Sequence, residues 1–135
     1  MIYSDIELID EMAHERFSHP GHLINLDMND YNSFAAGHDY FYAVTVKSEK
    51  QFDEFVDELR NELFNAQSAI PQPAEVLVHL LIHSETSITM ANYSLLSSLI
   101  NEMFGSRVRT KIGFAKDDSL PCNYKDIIVF IAGNN

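Results

Sequence analysis

VLVHLLI, residues 76–82, is the stretch from which the fold is read. Apart from His79 it is apolar throughout, and it is too short for a helix that buries every side. Such a run suits a strand inside a sheet. Upstream lies QSAIPQPAE, where two close prolines exclude a regular helix. Before that, residues 49–66 place Phe52, Phe55, Val56, Leu59 and Leu63 on one helical stripe, with Asp53, Glu54, Asp57, Glu58 and Arg60 opposite. Ser48, with Gln51 three positions on, is the expected cap. Further upstream YFYAVTV, residues 40–46, is aromatic and β-branched and predicts another strand.

Downstream the pattern repeats. Leu95, Leu96, Leu99, Ile100 and Met103 predict a second amphipathic helix, and Gly105 stands where a helix ends. Residues 107–115 alternate as a strand, with Val108, Ile112 and Phe114 on one side and Arg109 and Lys111 on the other. DDSLPCN is a turn-rich connector, and Asp126–Ala132 is the last strand. The connector is too short for a crossover helix, so the last two strands are expected to pair antiparallel. The order β-α-β-α-β-β predicts an α/β two-layer sandwich, a four-stranded mixed sheet with both helices on one face. The other face, around Thr45, Arg109 and Lys111, is left either as a partner surface or to be covered by the N-terminal segment.

A chain of 135 residues with 46% hydrophobic content suits one folded domain rather than a disordered one. Its net charge of −11 repels phosphate backbones, so nucleic acid is not an expected partner. About half of that charge sits in residues 1–30, where seven acids face the single base Arg16. One cysteine, Cys122, excludes an internal disulfide. No apolar run is long enough for a membrane span, and MIYSDIELIDE lacks the form of a signal peptide, so a cytoplasmic location and no membrane partner are expected.

The N-terminal third carries the specific signal. Residues 3–17 predict a helix with Ile6, Ile9, Met12 and Ala13 inward and Ser4 with Glu7 as a capping box. Pro20–Gly21 then turns the chain, and Asn25-Leu26-Asp27-Met28-Asn29-Asp30 follows. The whole stretch HPGHLINLDMNDYNSFAAG resembles the passage of the FtsZ/tubulin family of polymerising GTPases from the central helix, through the synergy loop, into the C-terminal domain. The Asn-x-Asp-x-x-Asp form carries the likeness, and IGFAKDDSLPCNYKDIIVFIAG resembles that domain's last hairpin. The resemblance spans about residues 5 to 133. It divides the chain into residues 1–38, an N-terminal helix and synergy-type loop, and residues 39–135, an α/β domain like the FtsZ C-terminal one.

What the resemblance implies is catalysis in trans. In the family, the loop's acids enter the next subunit's nucleotide site and orient the water that attacks the γ-phosphate. By position Asp27 and Asp30 take that role and Asn25 shapes the loop. The residues by themselves support a plainer reading, in which Asp27, Asn29 and Asp30 cap a helix and bond their own backbone. The departure from the family is large: no Gly-rich loop for GTP phosphates is present, so the chain is not expected to hydrolyse GTP alone. It reads as half of a longer protein or as a stand-alone relative, with the helix after the loop shortened at Gly37.

No other constellation is complete, and neither cofactor nor metal is expected. His14, His19, His22 and His38 have no Cys partner nearby in sequence; His79 and His83 stand too far apart along a strand for one ion; Cys122 reads as an inert turn thiol. Arg107, Arg109 and Lys111 form a basic strip that either pairs with acids of another copy or of the first helix, or is solvated. Two functions follow. One is a non-catalytic FtsZ-like module for protein–protein interaction or filament assembly, partnered by itself or by an FtsZ-like GTPase subunit. The other is a small α/β binding protein that dimerises or holds a peptide through an open sheet face.

Overall fold

The computed structural model describes residues 1–18, 23–83 and 85–135, so His19, Pro20, Gly21 and His22 lie outside the described residues. Among the described residues six strands and four helices follow in the order β1 (Ile2–Tyr3), α1 (Ile6–Phe17), β2 (Leu23–Ile24), α2 (Met28–Ala36), β3 (Tyr40–Ser48), α3 (Phe52–Gln67), β4 (Glu75–Ile82), α4 (Met90–Phe104), β5 (Arg109–Lys116) and β6 (Lys125–Gly133). The four long strands form the expected mixed sheet, and the two-residue strands extend it at either edge, in the order β1-β3-β6-β4-β5-β2.

The last two strands are not neighbours. β6 runs antiparallel to β5, as the short connector requires, but it inserts between β3 and β4, pairing with both, while β5 pairs parallel to β4. Composition explains the choice. Along β6, Ile127, Val129 and Ile131 enter one core while Ile128, Phe130 and Ala132 enter another. A strand with two apolar faces gains most at the centre, where both faces are covered. β5, with Arg109 and Lys111 exposed, tolerates the flank.

The larger core lies between the sheet and α3 with α4, including Phe55, Leu59, Leu63, Leu96 and Leu99. The smaller lies on the opposite face beneath α1 and α2, with Ile9, Ala13, Tyr31 and Phe34 over Ala43, Leu77 and Phe130. Rings of Phe17, Tyr31, Phe34 and Phe130 stack there with centroids 5.7–6.2 Å apart. The sheet therefore has helices on both sides, and the face expected to be open for dimerisation or peptide binding is covered by α1 and α2. Of its two expected fates, the N-terminal segment covers it. Burial of this aromatic layer outweighs leaving it to water.

Local caps depart from expectation in small ways. Asp5, not Ser4, caps α1, accepting from Glu7 N at 2.9 Å. Ser48 Oγ accepts from Lys50 N at 3.0 Å, so α3 starts at Phe52 without a side-chain cap. Thr89 and Asn92 form a reciprocal box at α4, and Gly105 closes that helix at φ +90°, a conformation that favours glycine. No helix among the described residues is long and apolar enough to cross a membrane.

Candidate functional site

The acidic segment lies between the edge strand β2 and helix α2. Asn25 takes φ +66°, a left-handed conformation that Asn tolerates better than most side chains, and so turns the chain out of β2. Leu26 is buried and pins the turn to the smaller core. Asp27 then caps α2. Its Oδ1 accepts from Asp30 N at 3.0 Å, while Asp30 Oδ2 accepts from Asp27 N at 2.8 Å. This reciprocal box satisfies donors that a helix start otherwise leaves orphaned.

Lys111 of β5 completes the cluster, its Nζ donating to Asp30 Oδ1 at 2.8 Å. Burial pushes the Asp30 carboxyl up, but the Lys111 ammonium and the Asp27 backbone N–H outweigh it and hold the group below its usual value. The Asp30 carboxylate in turn raises Lys111. Asp27 is exposed, and its Oδ2 has no hydrogen bond among the described residues. These groups line an open groove of about 600 Å³ with Tyr93, Thr110 and Ile112. The groove runs along the outer edge of β5, where β2 pairs only with Phe114 and Ala115.

Asn25, Asp27 and Asp30 thus come together, and the reciprocal hydrogen bonds of Asp27 and Asp30 are those of the capping reading. The basic strip divides. Lys111 joins the acids of α2; Arg109 pairs with Glu75 at 3.3 Å, which His38 Nε2 also contacts at 2.9 Å. Arg107 is exposed in the turn before β5 and makes no ion pair among the described residues. Charges along an exposed strand edge also discourage pairing with a stray strand.

Sequence reasoning missed a second polar centre. Arg16 is buried beneath α1, where it donates to His79 Nδ1 at 2.7 Å and to Asp126 Oδ1. A guanidinium can only donate, so Nδ1 accepts and the ring proton sits on Nε2. Burial lowers Arg16 despite Asp126, and burial raises Asp126 despite Arg16 and Lys47. Desolvation exceeds attraction for both partners, as is common for a buried pair. The sequence held one hint: Arg16 stands on the stripe of Ile9 and Ala13, which is buried.

No protein-family profile matches the chain, and no curated protein matches it. Solved structures do. The chain is similar to an empty FtsZ dimer from M. jannaschii, with TM-score 0.63 and 15% identity over 94% of this chain and 38% of that one. A W319Y mutant of the same organism's FtsZ gives TM-score 0.62 at 14% identity, over 95% of this chain and 40% of that one. It is also similar to TubZ of Bacillus thuringiensis serovar israelensis in its GDP-form protofilaments, with TM-score 0.62 and 13% identity over 82% of this chain and 30% of that one. The chain has the fold of part of these proteins and spans about two fifths of the FtsZ chain's length or less.

Proposed function

We propose that this chain is a non-catalytic module for protein–protein interaction or filament assembly, and that its acidic tip acts on the nucleotide site of a partner subunit, either a GTPase with the FtsZ fold or one present in a shared assembly. The observation that carries the reading is the place of Asn25, Asp27 and Asp30, in the turn that enters α2 and in its first helical turn, beside a likeness of fold to FtsZ and TubZ. In this reading residues 1–38 present the tip, residues 39–135 are the α/β body, and the assembly is cytoplasmic. Asp27 supplies a carboxylate with a spare oxygen, and Asp30, held in its ionised form by Lys111, adds a second. Such groups orient a water in line with a γ-phosphate and accept its proton, with Mg²⁺ arriving on the partner's nucleotide.

Asp27 has two jobs in this reading, as cap and as carboxylate, and one substitution separates them. Asparagine caps as well as aspartate, so Asp27→Asn keeps α2 while removing the charge. Mixed with a purified FtsZ-fold GTPase, the wild-type chain is expected to change polymer light scattering and phosphate release, and Asp27→Asn to lose the effect on phosphate release. Equal phosphate release with wild type, Asp27→Asn and no added chain would end the catalytic part of the proposal.

A further inference from the structure

At the carboxyl ends of β4 and β5 two connectors lie side by side. His83 directly follows β4, Glu85 comes two residues later, and Cys122 belongs to the link between β5 and β6. Thr86 Oγ1 donates to Cys122 O at 2.9 Å, and Asp117 N donates to Ile82 O at 2.9 Å, so one side-chain and one backbone hydrogen bond hold the two connectors together. One donor atom from each of His83, Glu85 and Cys122 lies within 4.8 Å of the other two. Nothing in the linear sequence joins them, because Cys122 is far along the chain and the pairing of β4 with both β5 and β6 brings its loop alongside.

We infer that His83, Glu85 and Cys122 form a binding site for a divalent transition metal, with Zn²⁺ the ion that fits the donors. A thiolate, an imidazole and a carboxylate are the three side-chain ligand types of zinc, whereas Mg²⁺ and Ca²⁺ take oxygen. A fourth position stays open to water or to a ligand atom of a partner. With metal–ligand distances of about 2.0–2.3 Å, tetrahedral donors sit about 3.5 Å apart, so the cluster closes by roughly an ångström. Glu85 and Cys122 are exposed and free to rotate by that amount, while His83 is 9% exposed and provides the fixed point.

Ligation has a definite proton account. His83 Nδ1 accepts from Glu85 N at 3.0 Å, which puts the ring proton on Nε2. Whichever nitrogen takes the metal, that hydrogen bond is lost, since Nδ1 then carries either the ion or the proton. The Cys122 S–H bond breaks, a sulfur–metal bond forms and one proton leaves to water, so binding strengthens as pH rises. The bound ion would cross-link the two connectors and fix the entry to α4.

Titration of the full chain with Co²⁺, a spectroscopic stand-in for Zn²⁺, tests the site. One equivalent should bind, with a thiolate-to-cobalt absorption band, and Zn²⁺ should displace it. Changing even an outer-shell partner of a metal typically weakens binding by about 10–100-fold, so Cys122→Ser and Glu85→Gln, both at exposed positions, should each weaken Co²⁺ by at least about tenfold. Cys122→Ser should also abolish the band, with far-UV circular dichroism unchanged. Co²⁺ bound without a thiolate band, or bound equally by Cys122→Ser, would place the metal on other histidines and overturn the inference, as would no binding at all.

Discussion

Replacing Arg16 by methionine tests how α1 is fastened to the sheet. The arginine side chain is 8% exposed and its partner Asp126 13% exposed, so the substitution leaves a carboxylate in a nearly dry place and takes the donor from His79 Nδ1. Removing one member of a buried ion pair costs about 3–5 kcal/mol. Lys47 remains near Asp126, so we expect the lower end, about 3 kcal/mol at pH 7. At about 2.1 cal/mol/K per residue of unfolding entropy, that lowers Tm by roughly 10 °C. Urea unfolding followed by circular dichroism measures it as a lower midpoint at unchanged slope.

Two controls sharpen the result. Arg16→Met with Asp126→Leu removes both charges and should recover stability to within about 1 kcal/mol of wild type, because apolar replacement of a whole buried pair is often neutral. The pH dependence also has a definite sign. Asp126 is raised in the folded chain, so its own contribution to stability is greatest below the unfolded value of about 3.9 and is lost as pH rises through the folded value. Without Arg16 the folded value rises further, so the deficit of Arg16→Met should shrink on acidification. A loss under about 1 kcal/mol, or a double variant as unstable as the single one, would refute the argument.

Three other outcomes are expected. Asp30 is held low, so its contribution is full above about pH 3.9 and is lost as pH falls through its folded value; Asp30→Asn should flatten the acid limb of a stability–pH curve in that range. Gly133→Ala puts a Cβ into the Tyr40 ring, 2.7 Å from Cε2, while that ring is tied by its hydroxyl to Pro71 O and Gln72 O; we expect a loss of about 1–3 kcal/mol by urea unfolding. Tyr31→Phe removes a hydrogen bond of 2.9 Å to Asp10 between α2 and α1 and should cost about 1 kcal/mol, read as a lower Tm.

Much of the sheet was legible in the sequence because strands and amphipathic helices announce themselves by period. The run at 76–82 bears on both faces of the sheet. A strand apolar at every step but one has two faces to bury, and that alone implied a second helical layer. The partner of that layer was harder to see, since residues 1–38 show no stripe as strong as that of α3. Tyr31 and Phe34 act there through a shared aromatic cluster rather than through periodicity. At the candidate site the sequence placed Asn25, Asp27 and Asp30 together, because they lie within six consecutive residues. It did not place Lys111 against Asp30, a contact between residues 81 positions apart.

The sequence by itself determined the order of the elements from β3 to β6, the two helices of the larger core and the acidic stretch that enters α2, since each depends on residues a few positions apart. Only the tertiary structure decided that β6 enters the centre of the sheet, that α1 and α2 cover its second face, and that Arg16 meets Asp126 or His83 meets Cys122. Those are choices between distant partners. They are set by which arrangement buries most apolar surface while leaving each charge a counterpart, and that is a property of the whole chain rather than of any stretch of it.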